Sequence, residues 1–500
     1  MIKMNKRELS RGAIISYLTI IVNILTGLLY TPWMIHKIGD SNYALYNLAI
    51  SIIGIFMMDF GLSASTSRFL SQYYAENDEE KANNFMGLTL KLYLYLDIIL
   101  FFVMIVLYFF LPYIYKSLTI QELETFKNLF VIVAFYSLIS FPLLNLNGVL
   151  IAKEKFIAIK LCGLLQKLFT VILVVISLYL GGNVYELVLA NAVGNIAFSF
   201  IKLFLVKKNG VKFKVSYKSK RMQKELIFFS IWSTIVQILQ RCIFSIAPTL
   251  LAMFVNSREI VFFSLASTIE GYVWTIGDAI NGMFMPQIAK IELEDEKDNK
   301  ITNLMCKVGK YQTYIVGAIF IVFLLIGQDF VTLWMGEGYK EVYICTIFII
   351  FPALIDVPQQ IGKTVMLIRN QVKLEALIYI FMVGIYIPLA GVLTKIYGVI
   401  GTAFSISIAY IIRSILMTYA YKNNLNIDIK KFFKKVYIKW ILVFVITVFV
   451  STLIIPLCKM QGLLGFVLKF SGIMILYTML IYLLYLNKEE KKQIINIFIK

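Results

Sequence analysis

Long apolar runs constrain this chain more than any other feature. Fourteen stretches, each of about 20 residues or more, are continuously apolar, and short polar loops separate them. A bilayer-spanning helix needs about 20 such residues, whereas the strands of a membrane β-barrel would alternate apolar and polar positions. We therefore predict an all-α polytopic membrane protein. Its predicted spans are 12–35, 43–67, 85–111, 126–150, 157–180, 184–206, 226–255, 259–285, 304–328, 341–367, 374–395, 398–421, 437–458 and 462–486.

The overall composition disfavours a soluble protein and a nucleic-acid partner. Of the 500 residues, 60% are hydrophobic and the mean hydropathy is +0.80, whereas a soluble domain is about 45–50% apolar. The net charge of +19 would suit nucleic acid or an anionic membrane leaflet. Because the charge lies in loops between apolar spans, it favours the membrane. The five cysteines form no CxxC pair and His36 is the single histidine, so we expect no metal site and no cofactor.

The distribution of basic residues among the loops predicts the orientation. With the N-terminus inside, the inner segments carry about 34 Lys and Arg residues and the outer loops about six. This asymmetry places both termini in the cytoplasm and makes the number of spans even. No loop is long enough for a large soluble domain.

A basic loop at 207–225 divides the chain into two similar parts. The sequence 21–25 (IVNIL) corresponds to 235–239 (IVQIL), and an acidic loop at 76–81 corresponds to another at 292–297. The common offset is about 216 residues, which indicates a parallel repeat related by a pseudo-twofold axis along the membrane normal. We predict five segments: an N-lobe at 1–206 (spans 1–6), the cytoplasmic linker 207–225, a C-lobe at 226–421 (spans 7–12), an appended pair at 437–486 (spans 13 and 14), and a cytoplasmic tail at 487–500.

Ionisable side chains deep inside the spans are the candidate functional site. A charge at that depth costs at least about 3 kcal/mol, so a chain carrying many of them needs a polar, water-filled cavity or mutual pairing. Cations there would bind an anionic substrate group, especially phosphate. Carboxylates would take up H⁺ or Na⁺, or act as gates. The predicted head-group cations are Lys91, Lys167, Arg241, Lys363 and Arg413, and the predicted coupling or gating acids are Asp59, Asp97, Glu270, Asp278 and Asp356.

Pairing of these charges with one another is the alternative reading, for example of Asp59 with Lys91. The stretch from Pro352 to Pro358 is a special case, because two prolines around Asp356 should break the tenth span at depth. We interpret it as a hinge with a polar face, and a simple packing kink with Asp356 neutral or paired stays open. No phosphate-binding loop fits the sequence, so we expect transport to run on a gradient or on the membrane potential.

Several short motifs near the start of the chain resemble a known family. They are Arg11-Gly12-Ala13, Thr31-Pro32, Ile38-Gly39 with Tyr43, Asp59-Phe60-Gly61-Leu62 and Arg68-Phe69. Together they resemble the bacterial polysaccharide repeat-unit flippases, the O-antigen-type transporters. These belong to the superfamily that includes multidrug exporters and the lipid II flippase.

The resemblance implies a function that the residues alone do not. It implies two six-helix lobes forming a V around a cationic cavity, in a protein of the bacterial cytoplasmic membrane. The expected activity is alternating-access flipping of undecaprenyl-pyrophosphate-linked oligosaccharides for surface polysaccharide such as the O-antigen of lipopolysaccharide. Candidate partners are membrane lipids, H⁺ or Na⁺, and a polysaccharide polymerase. Asp59 and Arg68 match the family's second-span pattern, whereas Arg241, Asp356 and Arg413 rest on the physical argument alone.

Two other functions were weighed against the flippase. A multidrug exporter of the same fold would favour a cavity dominated by acids, but here five deep cations match five deep acids, which leaves room for an anion. A membrane enzyme, such as a polymerase or glycosyltransferase, would be expected to carry a sizeable outer loop with catalytic residues, and the longest outer loop is short. We therefore expect a transporter rather than an enzyme. The sequence leaves open the oligosaccharide, the coupling ion and the oligomeric state.

Overall fold

The computed structural model describes residues 6–59, 61–214, 220–278, 284–292, 294–369, 371–458, 460–486 and 490–491. Within these ranges the chain is built from helices and contains no strand. The predicted all-α class is therefore confirmed. Residues 215–219 of the predicted linker, and all of the predicted tail except 490–491, lie outside the described residues.

The described residues up to 214 form eight α-helices. They are α1 (Lys6–Ile38), α2 (Asp40–Phe56), α3 (Leu62–Ala75), α4 (Glu79–Ile114), α5 (Ile120–Ser140), α6 (Leu146–Ala152), α7 (Phe156–Tyr179) and α8 (Val184–Lys208). A 3-10 turn at Phe141–Leu143 joins α5 to α6.

The described residues from 220 onward form eleven more α-helices. They are α9 (Lys220–Phe254), α10 (Ser257–Asp278), α11 (Met285–Ile291), α12 (Lys297–Met335), α13 (Lys340–Ile350), α14 (Ala353–Asp356), α15 (Gln360–Ile368), α16 (Val372–Leu425), α17 (Ile429–Val436), α18 (Ile438–Ile454) and α19 (Gly462–Leu480). A π-helical turn at Ile481–Tyr485 extends α19.

Twelve helical stretches among the described residues are long and apolar enough to cross a membrane. One of them, α16, has 54 residues and accommodates two predicted spans, because Gly398 has non-helical angles (φ 58°, ψ −138°) that divide it. Helix α4 leaves Phe102 61% exposed and Phe109 68% exposed. Large apolar side chains at this exposure belong in lipid rather than in water. The chain is a multi-pass membrane protein.

Among the described residues, helix breaks interrupt the second, fourth and tenth predicted spans. The second span, 43–67, is not one helix, because Gly61 takes a left-handed conformation between α2 and α3 and its amide donates to Asp59 Oδ1 (3.0 Å). The fourth span is interrupted by the turn before α6, at Pro142. The tenth span is broken around Asp356, as its two prolines predict: α13, α14 and α15 are separate helices, with a 3-10 turn at Val357–Gln359 between the last two.

The helices form two compact units. The first unit contains Met1–Ser264 with Ala390–Gly398, and its core is a buried cluster that includes Phe85, Tyr93 and Phe141. The second unit contains Leu265–Leu389 with Val399–Lys500. In the second unit α12 is central, and α13, α15, α17, α18 and α19 pack against it. The division into an N-lobe and a C-lobe with an appended pair stays a prediction.

Candidate functional site

A buried ion pair lies in the second unit. The Arg413 guanidinium on α16 donates to the Asp356 carboxylate at the end of α14, and the side chains are 9% and 8% exposed. Ser414 Oγ donates to the other carboxylate oxygen of Asp356. Arg413 Nη1 also donates to the Tyr379 hydroxyl (2.6 Å). The pair is therefore held by charge-assisted hydrogen bonds on both sides.

Aromatic rings complete the surroundings of Arg413. Its guanidinium lies 4.7 Å from the centroid of the Tyr410 ring and 5.2 Å from that of Tyr379. Cation–π attraction at these distances stabilises a guanidinium that has lost its water. Even so, Arg413 Nε is buried and has no hydrogen-bond partner among the described residues. The guanidinium therefore keeps one donor for an additional acceptor.

A second ion pair lies beside the first. Lys363 Nζ on α15 is 3.4 Å from Glu375 Oε1 near the start of α16, and 5.9 Å from the Tyr379 ring centroid. The Glu375 side chain is 6% exposed, whereas that of Lys363 is 41% exposed. Lys363 is thus partly exposed, whereas its counter-charge is buried. Tyr379 connects the two pairs, because it contacts both cations.

Local structure explains why these groups meet. The helix break at Pro352 and Pro358 ends α14 at Asp356, so this carboxylate lies at an interruption of the helix rather than along a regular face. On α16, Tyr410 and Ser414 are four residues apart and share one helix face with Arg413. The predicted hinge and a regular helix therefore supply the two halves of the pair.

Glu270 on α10 is the third buried acid among the described residues of the second unit. It is 7% exposed and accepts a hydrogen bond from the Trp274 side chain. Its charge acts on the Tyr410 hydroxyl, so it lies close to the same aromatic group. Asp278 is the last residue of α10, and its side chain lies outside the described residues. Of the ten predicted site residues, the second unit thus brings Asp356, Lys363, Arg413 and Glu270 into one neighbourhood.

The first unit holds five of the other predicted residues, which lie on α4, α7, α9 and the turn between α2 and α3. Arg241 on α9 is exposed, and its Nη1 donates a long hydrogen bond (3.4 Å) to the backbone oxygen of Gly54 on α2. Asp59 lies in the turn between α2 and α3, where it accepts from the Gly61 amide. Arg241 therefore has a largely free guanidinium, whereas Asp59 has a local structural contact.

Lys91 and Asp97 lie on α4, and Lys167 lies on α7. Lys91 and Asp97 are half-buried, whereas Lys167 is exposed. The Oδ1 atom of Asp97 is buried without a hydrogen-bond partner among the described residues. A buried carboxylate oxygen is costly unless a cation or a proton donor satisfies it.

Sequence reasoning missed part of this chemistry. Glu375 was not counted as deep because it lies at the edge of the eleventh span, and Tyr379 and Tyr410 were counted as apolar residues. It also missed a polar contact between α7 and α8, where Gln166 donates to Asn195, and one between α8 and α2, where Asn191 donates to the Tyr46 hydroxyl (3.1 Å). Recurrence of polar residues at a spacing of four on α8 was the available signal.

The appended helices have a charge pair of their own. Lys469 on α19 lies 2.7 Å from Asp329 on α12. The Trp440 indole on α18 donates to the Tyr477 hydroxyl (3.0 Å), which donates to the Tyr314 backbone oxygen on α12 (3.1 Å). These contacts attach α18 and α19 to α12.

Comparisons with known proteins point to one group of membrane proteins. The profile of a family described as "Polysaccharide biosynthesis protein" matches residues 9–291, more than half of the chain. A Shigella flexneri protein named "Putative O-antigen transporter" is 24% identical over 251 residues, which cover 47% of this chain and 57% of that protein. The match thus spans less than two thirds of that relative.

Two solved structures share the fold over most of their length. The lipid II flippase MurJ, in an inward closed conformation, matches with a TM-score of 0.72 at 13% identity, covering 94% of this chain and 97% of MurJ. An inward-facing multidrug resistance transporter of the MATE family in the MOP superfamily matches with a TM-score of 0.69 at 16% identity, covering 84% and 99%. At these identities the likeness concerns the fold.

Proposed function

The chain belongs to the polysaccharide biosynthesis protein family, and on that premise we propose that it flips lipid-linked oligosaccharide repeat units across the bacterial cytoplasmic membrane. The proposed substrate has an undecaprenyl-pyrophosphate head group, and the proposed mechanism is alternating access with both termini in the cytoplasm. The name of the Shigella flexneri relative and the fold shared with MurJ support this substrate class.

The observation that carries the proposal is the environment of Arg241. It lies within a helix that is apolar enough to span the membrane, yet its guanidinium is exposed and its hydrogen bond to Gly54 is long. Turning this charge toward lipid would cost several kcal/mol, so it must face water or an anion. A guanidinium with free donors binds a phosphate through two parallel hydrogen bonds.

The other predicted residues take two roles in this proposal. Lys167 and Lys91 assist Arg241 at the head group, and Lys363 and Arg413 offer further cationic positions in the second unit. Asp356, with Glu270, Asp97, Asp59 and Asp278, contributes gating or uptake of H⁺ or Na⁺. The Arg413–Asp356 pair supports a gating role, because an anionic head group could compete with Asp356 for the guanidinium.

Complementation of a strain lacking its own flippase tests the role of Arg241. We expect Arg241→Ala to lower surface polysaccharide by about 10-fold or more, because a hydrogen bond to a charged group contributes about 1.5–3 kcal/mol. Arg241→Lys should retain part of the activity, since it keeps the charge but loses the bidentate geometry. Wild-type complementation by Arg241→Ala at normal membrane abundance would contradict the proposal.

A matched control separates this role from a general loss of positive charge. Arg258→Ala removes an arginine whose side chain is 60% exposed and 3.9 Å from Asp40. An exposed pair at that distance contributes little, so this variant should complement normally. Proteoliposomes carrying a labelled undecaprenyl-pyrophosphate oligosaccharide provide the direct assay, in which Arg241→Ala should slow the loss of label from one leaflet.

The second candidate function is export of small molecules, which the MATE fold match favours. It predicts that cells expressing the chain expel cationic dyes and that surface polysaccharide is unchanged by deletion. The balance of deep acids and cations argues against it. Dye efflux with no change in surface polysaccharide would contradict the flippase proposal and favour export of small molecules.

A further inference from the structure

Helix α17 is a short basic helix that lies between α16 and α18. Its eight residues, Ile429–Val436, contain four lysines. Asp428 caps it, because its Oδ1 accepts from the Lys431 amide (2.9 Å). Two of its lysine pairs have i, i+4 spacing, 430 with 434 and 431 with 435, and like charges at this spacing destabilise an isolated helix. Contacts outside the helix must therefore stabilise it.

One face of α17 is fixed to the protein. Ile429 is 9% exposed, whereas Phe432 and Val436 are fully buried. The Phe432 ring packs so closely on α12 that a Cβ atom at Gly309 would come 2.9 Å from it. The Tyr485 hydroxyl donates to the backbone oxygen of Val436 (3.0 Å), which satisfies the end of the helix. This packing holds the opposite face in one orientation.

The opposite face is cationic and open. Lys430, Lys434 and Lys435 are exposed and Lys431 is half-buried. Lys431 and Lys435 lie near Cys306 on α12 together with Lys310. Among the described residues, Asp428 accepts the cap hydrogen bond and Glu490 pairs with Lys310 (3.1 Å). The surface therefore has an excess of positive charge.

The position of α17 identifies the bilayer as the neighbour. Its last residue is followed by Tyr437 and then by α18, which is part of a membrane-spanning stretch. On α18, Ile438, Leu442 and Val445 are each more than half exposed, so they face lipid chains. The lysines thus stand at the level of the lipid head groups, while the apolar side of the helix packs on α12.

From these contacts we propose that α17 is a binding site for anionic phospholipid head groups of the surrounding membrane. Lys430, Lys434 and Lys435 contact the phosphodiester groups, and Lys431 contributes to the local potential. The lipid offsets the repulsion among the lysines and ties the connection between α16 and α18 to the membrane surface. Basic side chains near an anionic surface each contribute to such attraction. This site is independent of the flippase site.

Lipid titration of the purified full chain tests the proposal. Native mass spectrometry in neutral detergent, with phosphatidylglycerol as the anionic probe and phosphatidylcholine of the same chains as the neutral one, gives the preference for anionic lipid. We expect the variant K430Q/K434Q/K435Q to lose roughly 100-fold in the affinity of its tightest phosphatidylglycerol site. Unchanged preference in this variant would overturn the proposal.

Two further variants separate the site from net charge. K207Q/K208Q/K212Q removes three exposed lysines from the other basic loop and should keep the tight site. K430R/K434R/K435R keeps the charges and should also keep it. An equal loss in the 207–212 variant would mean that the attraction is diffuse, and the site at α17 would then be wrong.

A measurement on the unmodified protein covers the case in which the variant does not fold. The preference for phosphatidylglycerol should fall steeply between low and high salt, because the contacts are exposed charges. A preference that does not change with salt would overturn the proposal. Binding of an acidic protein segment at α17 with no lipid preference would likewise reject the lipid as its occupant.

Discussion

The Arg413 guanidinium donates to the Asp356 carboxylate within the membrane-spanning part of the chain, and both side chains are less than one tenth exposed. Neither charge could remain there alone, because an unpaired buried ion loses its hydration without compensation. The pair therefore joins the broken tenth span to α16.

Removing one member of this pair should destabilise the protein strongly. Breaking a buried pair costs about 3–5 kcal/mol, because the remaining charge is left uncompensated. We expect Asp356→Asn and Arg413→Gln each to lower the thermal unfolding midpoint in detergent. The double variant D356N/R413Q should lose less than the sum of the two. Lys81→Gln, which breaks an exposed bridge to Asp78, is the matched control and should have little effect. Additive losses would show that the pair is not coupled.

Arg369 joins four helix ends of the second unit. Its guanidinium donates to Glu292 (2.7 Å), to Asp298 (2.6 Å) and to the Leu425 backbone oxygen (2.8 Å). Burial lowers the pKa of Arg369, but the hydrogen bonds to Asp298 and Glu292 raise that pKa more, so the net direction is upward. The group is charged at any working pH.

A lysine cannot reproduce the three directions of that guanidinium. We therefore expect Arg369→Lys to lower the unfolding midpoint nearly as much as Arg369→Ala. Each lost charge-assisted hydrogen bond contributes about 1.5–3 kcal/mol. A Lys variant with wild-type stability would show that charge alone suffices there.

Gly398 should not tolerate a side chain. Its φ of +58° is a left-handed angle, which costs other residues about 1–2 kcal/mol, and a Cβ atom there would collide with the Glu259 carboxylate. We expect Gly398→Ala to reduce the yield of folded protein on size-exclusion chromatography. Gly391→Ala is the matched control, since nothing lies within 4 Å of a Cβ at that position. Equal yields would contradict this account of the turn between spans 11 and 12.

The Tyr477 hydroxyl attaches the appended helices to α12 and should be needed for stability. Tyr477→Phe leaves the Trp440 indole N–H without its acceptor, and a buried unpaired donor costs about 1–3 kcal/mol. Tyr482→Phe changes a partly exposed ring one turn away and should be nearly neutral. Thermal unfolding of both variants decides between a specific hydrogen bond and general packing.

The stability of the first turn of α4 depends on pH through Asp78. The hydrogen bond from the Lys81 amide, and then the Lys81 side chain, hold the pKa of Asp78 below its ordinary value of 3.8. A lowered pKa in the folded state means that the stabilisation is present above the ordinary pKa and is lost as the pH falls through the lowered one. The protection factors of the first α4 amides against hydrogen exchange should therefore fall below about pH 4.

The variant Asp78→Asn separates the charge from the cap. Asparagine caps a helix about as well as aspartate but does not titrate. In this variant the protection factors of the first α4 amides should show no such fall in acid. A step that persists in this variant would assign the pH dependence to another group.

The sequence was enough to list many residues of the candidate site, but it did not show how they are arranged. Deep charges such as Arg413, Asp356 and Lys363 interrupt apolar runs, so the sequence alone was enough to select them as candidate site residues. Their partners were not predicted, because Glu375 lies at a span edge and tyrosines have no charge to signal them. The turn at Asp59 was missed as well, since a single glycine after an acid is a weak break signal.

The sequence by itself determined the membrane class, the spans and the break around Asp356, because apolar run length and proline act locally along the chain. The tertiary structure alone decided which charges meet. Asp356 and Arg413 are 57 residues apart in sequence, and their distance depends on how α14 packs beside α16. It also decided that Arg241 stays open while Arg413 is paired, because pairing depends on which helix faces touch, and hydrophobic periodicity does not encode that.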